Sequence, residues 1–282
     1  MVNRLDCSVD STKEPLDDDG FWVIIPTRYD SSRLPGKPLA QIAGKPMVQH
    51  VWEQARKSGA ERVVVATENE AIAEACHGFG ADVVMTARHH ANGTSRLAEA
   101  VSILEAPPTK RIVNVQGDEP LLPPELIDLV ADSLSANPRA SISTLAEPIT
   151  STAELMRPSV VKLVVNHANE ALYFSRAPIP WQRDEWGETG PHKEQPLISD
   201  EHSLQGQKGP LRHVGLYAYR ASFLSEYANW PAVSIEQQEQ LEQLRALYFG
   251  HRIQVAISPR EYPAGVDTPE DLERVRRILE LV

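Results

Sequence analysis

The chain holds only two cysteines, Cys7 and Cys76, in 282 residues. That is too few for a disulfide framework and too sparse for a thiolate metal site, so a reducing, cytoplasmic compartment is expected. Long apolar runs are missing too. Nothing approaches the roughly 18 consecutive apolar residues that a membrane-spanning helix needs, so no membrane association is expected. Positive charge is scarce: 28 lysines and arginines stand against 39 acids, a formal net charge of −11. A general nucleic-acid binder presents a basic face, and this balance argues against one. The same balance means that any polyanionic ligand has to be held by local cations or a metal. No internal repeat or low-complexity tract is present. Residues 1–20 lack the apolar middle of a secretory leader and read as a mobile acidic extension with no assigned chemistry.

What remains is an alternation of short apolar runs and helical periods. Phe21–Ile25 reads as a buried strand ended by Pro26, and Arg62–Thr67, Asp82–Met85, Ile112–Val115 and Ser141–Ala146 read as further strands. Helices are expected over Pro46–Lys57, Glu70–Phe79, Thr94–Leu104 and Glu125–Leu134. This order specifies an α/β fold with a doubly wound, mostly parallel central sheet. The pattern loosens after about residue 150. Val160–Val165 and Ala171–Ser175 read as adjacent strands, Gln182–Gly209 as a long excursion, and Gly215–Tyr219 as another strand. One helix is expected over Ile235–Phe249, with Leu241, Leu244 and Leu247 on its apolar side. Ile253–Ile257 is the last strand, and Thr268, Pro269 and Asp271 give the last helix a cap, a proline first position and an acid three residues on. A smaller mixed sheet or arm is thus expected in the second half. One domain is expected over 21–282, with residues 21–150 as its first half and 151–282 as its second.

The stretch V-I-I-P-T-R-Y-D-S-S-R-L-P-G-K-P organises the chemistry. It places Arg28, Arg33 and Lys37, with Ser31 and Gly36 between them, after a parallel strand, where open α/β sheets bind ligands. Small residues expose backbone N–H groups, and fixed cations neutralise an anion such as phosphate. Asp118 follows the apolar run I-V-N-V and projects at the same sheet edge; Asp267 lies between the last strand and the last helix. Alone, one is a turn former and the other an extra cap residue. Together with the cationic loop they fit a Mg²⁺ site completed by phosphate oxygens.

The motifs L-P-G-K-P, V-N-V-Q-G-D-E-P, A-L-Y-F-S-R-A-P-I-P-W, R-H-V-G-L-Y-A-Y-R, L-E-Q-L-R-A-L and V-D-T-P-E-D-L-E-R-V-R occur in this order from about residue 21 to the C-terminus. In them the chain resembles the 3-deoxy-manno-octulosonate cytidylyltransferases, the CMP-Kdo synthetases of lipopolysaccharide precursor synthesis. The resemblance implies a sugar-nucleotide nucleotidyltransferase fold, Mg²⁺ dependence, a homodimer, and the reaction of CTP with Kdo to give CMP-Kdo and diphosphate. It also implies roles. Arg28 and Lys37 would hold the CTP phosphates, with Ser31 and Arg33 nearby. Thr67, Gly93, Thr94 and Arg96 would lie around cytosine and ribose, and Gln116 and Asp118 at the nucleotide. Asp118 and Asp267 would bind the metal. Arg176, His213, Tyr217, Glu242 and Gln243 would line the sugar-acid pocket.

On the residues alone, Glu242 and Gln243 read as a solvated helix face, and His213 as a partly buried histidine. Arg176 is better placed, since a guanidinium fork at a strand end matches a carboxylate. Tyr173, Trp181 and Trp230 read as packing residues. The chain departs from the family where Ser95 stands in place of an acid in A-N-G-T-S-R, and where the 182–209 excursion is longer than usual. Two alternatives stay open: activation of another 2-keto sugar acid, such as 8-amino Kdo or a sialic acid, and a nucleotide-binding module without turnover.

Overall fold

The computed structural model describes residues 20–30, 34–90, 92–187, 190 and 209–280. The acidic extension over 1–19, Ser31, Arg33 and most of the 182–209 excursion lie outside the described residues.

Eleven strands are described: β1 Phe21–Thr27, β2 Gln41–Ile42, β3 Lys45–Pro46, β4 Arg62–Thr67, β5 Asp82–Met85, β6 Arg111–Asn114, β7 Ile142–Pro148, β8 Lys162–Val165, β9 Ala171–Ser175, β10 Leu211–Arg220 and β11 Ile253–Ile257. Nine of them form one sheet whose main path runs β11-β7-β10-β6-β1-β4-β5, with β8 and β9 joined through β10; β2 and β3 make a separate small pair. Strands β6, β1, β4 and β5 run parallel, as do β7 and β11. β10 is antiparallel to both β6 and β7, and β8 and β9 form an antiparallel arm. The expected doubly wound, mostly parallel sheet with a smaller antiparallel part is therefore present.

Continuous apolar runs are required because both faces of this sheet are covered. Successive residues of β1 serve opposite cores: Ile24 packs with Leu97 and Val101 of the Gly93–Ile103 helix and with Phe223. Val23 and Ile25 pack with Val48 and Val51 of the Met47–Ala55 helix and Leu126 of the Pro124–Ser135 helix. Fully burying one such aliphatic side chain stabilises by about 1.5–3 kcal/mol, so each face is held by many comparable contributions.

The structure corrects four expectations. β1 continues through Pro26, which pairs in register with Ala66 of β4. Pairing with β6 ends at Ile24, so Pro26 lies where the strand has a ladder neighbour on one side only, a position that tolerates a missing N–H. A helix over Ala221–Tyr227, absent from the periodicity reading, turns the chain back after β10. Most consequential for the site, the continuous helix expected over 235–249 is two helices, Ser234–Glu239 and Gln243–Tyr248. Gln240 separates them in the left-handed region at φ 53°. Trp181, expected to pack, is 46% exposed and meets Trp186 edge-on.

Candidate active site

The parallel strands β1, β4, β5 and β6 end on one edge of the sheet, and the loops that follow them build the first cavity. After β1 the chain carries Arg28 at the surface and turns at Gly36, whose N–H donates to Tyr29 O at 3.1 Å and whose φ of 67° favours glycine. Lys37 follows at once. Its Nζ donates to Asp118 Oδ2 at 2.6 Å, to Val266 O at 2.7 Å and to Asp267 Oδ1 at 3.4 Å. One ammonium thus touches carboxylates that the sequence separates by the length of half a domain.

Asp118 is carried by the turn after β6, which leaves room only for glycine at 117: a Cβ there would lie 2.5 Å from Thr27 Cγ2 and 3.1 Å from Pro26 O. Asp267 is brought in by a segment whose Val266 N–H donates to Asp118 O at 2.8 Å. Beyond it Thr268 and Asp271 close a capping box at the start of the Pro269–Leu279 helix. Thr27, Arg28, Lys37, Arg96, Asp118 and Asp267 are among the residues lining a cavity of about 360 Å³. Arg96 is buried and held by an ion pair to Glu68 at 2.7 Å and a hydrogen bond to Thr86 Oγ1 at 2.5 Å.

No group of three or more metal-ligating side chains gathers among the described residues. Two carboxylates and an ammonium do. The ammonium stands where positive charge is stabilised by both acids. A hard divalent cation that takes its remaining ligands from phosphate and water needs no more protein carboxylates than these.

The second cavity, about 300 Å³, adjoins the first, with Gly93, Gln116 and Glu242 belonging to both walls. Tyr217 and Tyr219, two apart on β10, point to the same side of the strand and line it with Phe223 and Tyr227. The helix break places Glu242 and Gln243 at the start of the second short helix, turned inward instead of to solvent. Glu242 Oε2 accepts a hydrogen bond from Thr94 Oγ1 at 3.0 Å, and burial raises its carboxyl above the usual range despite that bond. Asn114, at the end of β6 and paired in register with Tyr217, is 3% exposed. The Tyr219 hydroxyl is hydrogen-bonded to Thr94 and Asn114, while Asn114 Oδ1 and Gln243 Nε2 are buried with no partner among the described residues. A buried acceptor and a buried donor left open in one cavity are costly unless a ligand satisfies them.

Other sequence-predicted residues sit elsewhere. His213 lies behind Tyr217, with its ring 5.3 Å away, edge-on to Phe174 and hydrogen-bonded to Thr144; loss of hydration pushes its imidazole down to about 3. Thr67 is buried, accepts a bond from Asn69 N, and lines neither cavity. Arg176 is also outside both: its guanidinium donates to the carbonyls of Glu239, Pro158 and Gln240, which fastens β9 to the helix break. Ser95, the residue that replaces an acid, closes the capping box with Asn92 at the start of the Gly93–Ile103 helix. Its side chain is committed to the helix terminus.

Sequence reasoning missed Asn114, Glu119, Tyr219, Tyr227 and Tyr262. A polar residue inside the apolar run I-V-N-V was the available signal for Asn114. Glu119 stood in a quoted motif with no role given; loss of hydration pushes its carboxyl up to about 8, against the hydrogen bond from Tyr262. Tyr262 had no local signal.

A cationic, two-carboxylate cavity on the C-terminal edge of a parallel sheet, sharing a wall with a second cavity lined by aromatic rings and buried amides, defines a nucleotidyltransferase-type enzyme. The chain belongs to the cytidylyltransferase family, whose model matches residues 22–253. It is 53% identical over 260 residues to the 3-deoxy-manno-octulosonate cytidylyltransferase of Pseudomonas syringae pv. syringae (strain B728a), covering 92% of this chain and 98% of that one. It is 50% identical over 263 residues to the same-named protein of Pasteurella multocida (strain Pm70), covering 92% and 98%. Among solved structures it resembles a CMP:2-keto-3-deoxy-manno-octonic acid synthetase complexed with CTP, with a TM-score of 0.80 and 39% identity over 93% of this chain and 99% of that one. A cytidylyltransferase from Leptospira borgpetersenii, at a TM-score of 0.58 and 15% identity, shares the fold.

Proposed function

We infer that the protein activates Kdo: CTP and 3-deoxy-D-manno-octulosonate give CMP-Kdo and diphosphate. The reading extends to a Mg²⁺-dependent, cytoplasmic homodimer that supplies lipopolysaccharide synthesis. The observation that carries it is the adjoining of two unlike cavities through one shared wall, in a chain half identical to proteins named for that reaction. The charged cavity suits the triphosphate, and the ring- and amide-lined cavity suits a polyhydroxylated acid.

The chemistry follows from the residues. The anomeric hydroxyl of the acid attacks the α-phosphorus, an oxygen–phosphorus bond forms, the α–β bridging bond breaks, and diphosphate leaves while the hydroxyl proton is lost. Negative charge grows on the phosphoryl oxygens and the leaving group, so Arg28 and Lys37 contribute most as fixed positive charge. Asp118 and Asp267 would hold Mg²⁺, which neutralises the triphosphate and eases ionisation of the attacking hydroxyl. Gln116 and Glu242, in the common wall, stand where the two substrates meet. Asn114 Oδ1 and Gln243 Nε2 together satisfy a hydroxyl, which both donates and accepts. Positioning and electrostatics account for the reaction without a covalent enzyme intermediate.

Diphosphate release from CTP and Mg²⁺ should be measured with Kdo, 8-amino Kdo and a sialic acid. Fast release with Kdo and slow release with the others supports the reading. Preference for another acid moves the substrate assignment, and CTP binding without release for every acid would leave a module without turnover.

A further inference from the structure

We propose that Tyr262 is a positioning residue: its hydroxyl seats the Asp267-bearing segment on the Asp118-bearing turn, so that both carboxylates meet one cation in a fixed geometry. The inference rests on the assignment of Asp118 and Asp267 as the metal pair.

Between β11 and the Pro269–Leu279 helix the chain has no regular secondary structure, yet it must deliver Asp267 to a carboxylate on a different loop. It is tied down at separate points. Tyr262 N donates to Glu147 Oε1, and Val266 N donates to Asp118 O. On the helix side, Arg274 Nη2 donates to Ala264 O at 2.9 Å. Gly265 approaches so closely that a Cβ there would lie 3.2 Å from Asp118 O. These ties use the main chain of the segment and would survive most side-chain changes. The Tyr262 hydroxyl differs: it donates to Glu119 Oε2 at 2.5 Å, which joins the segment by a side chain to the residue next to Asp118. The Tyr262 ring packs against the core beneath the sheet, so removing only the hydroxyl leaves that packing in place. Without the hydroxyl, Glu119 loses its donor and the Asp267-bearing segment loses its side-chain tie to the Asp118-bearing turn, so the two carboxylates are no longer held at one spacing.

The test uses Mn²⁺ as the probe, titrated into the full chain with CTP and no acid, with free Mn²⁺ read by electron paramagnetic resonance. Tyr262→Phe is expected to weaken Mn²⁺ binding about tenfold, equivalent to about 1.4 kcal/mol, while the thermal midpoint of the metal-free protein stays close to wild type. Glu119→Ala should reproduce the loss, and Glu119→Gln, which keeps an acceptor oxygen, should restore most of the affinity. Wild-type Mn²⁺ affinity in Tyr262→Phe overturns the proposal, as does a fall in thermal midpoint with affinity unchanged, or failure of both Tyr262→Phe and Glu119→Ala to fold. Asp118→Asn and Asp267→Asn serve as the reference. If they bind Mn²⁺ like wild type, the metal pair itself is wrong; if they lose it while Tyr262→Phe does not, only the positioning role fails.

Discussion

The two cavities are neighbours built by opposite routes. The charged one is assembled at the ends of parallel strands, from loops that any doubly wound sheet directs to the same edge. The polar one is assembled from an antiparallel strand inserted between β6 and β7, a helix that stops and restarts, and the wall of the first cavity. The first works through charge; the second works through aromatic rings and unpaired hydrogen-bonding atoms. Substitutions should therefore separate them: losses on the charged side fall on turnover, and losses on the polar side fall on affinity for the acid alone.

The largest effect belongs to the carboxylates. Asp118→Ala and Asp267→Ala should each lower kcat for diphosphate release by a factor of about a hundred or more, the scale of losing a key electrostatic stabiliser. Wild-type-like rates in both variants would break the comparison at its first term. The next effect tests the polar cavity. Asn114→Ala should raise KM for the acid about tenfold or more, from the loss of a buried hydrogen-bonding partner, while KM for CTP changes little. An equal rise for both substrates would mean that the two cavities are one site.

The charged cavity was legible because its signals are local. Cations after a short apolar run, and an aspartate after another, place themselves once the strands are recognised. The convergence of Asp118 and Asp267 is less local: Asp118 follows a strand directly, whereas Asp267 arrives through the irregular segment between β11 and the last helix. The polar cavity was not legible for a physical reason. Leu241, Leu244 and Leu247 all follow Gln240, so their helical spacing does not register the break, and neither glycine nor proline marks it. Gln240 enters the left-handed region as a non-glycine residue, a conformation that only the surrounding packing, including the Arg176 contact with its carbonyl, can enforce. Arg176 was misread for the same cause: its donors fit a carboxylate, but three main-chain carbonyls reach them first.

The last effect falls on stability and not on activity, and concerns pH and His213, which supports the second cavity from behind. Burial holds its imidazole at about 3 in the folded chain against an ordinary 6.5. Below 6.5 the unfolded chain takes up a proton that the folded chain refuses until about 3, so stability falls as pH drops through that window, by at most about 1.4 kcal/mol per pH unit. Denaturant unfolding should show this slope in wild type and a flatter one in His213→Asn. An unchanged slope would place the pH dependence on other groups.

The central claim is that one cavity takes the metal and triphosphate and the other takes the acid. Anomalous diffraction from crystals grown with CTP and Mn²⁺ tests it most directly. The account predicts a Mn²⁺ peak bound by Asp118 and Asp267 with triphosphate oxygens against Lys37, and the cavity of Tyr217, Asn114 and Gln243 left clear of nucleotide. A metal bound away from both aspartates, or cytosine seated among those tyrosines, would contradict it.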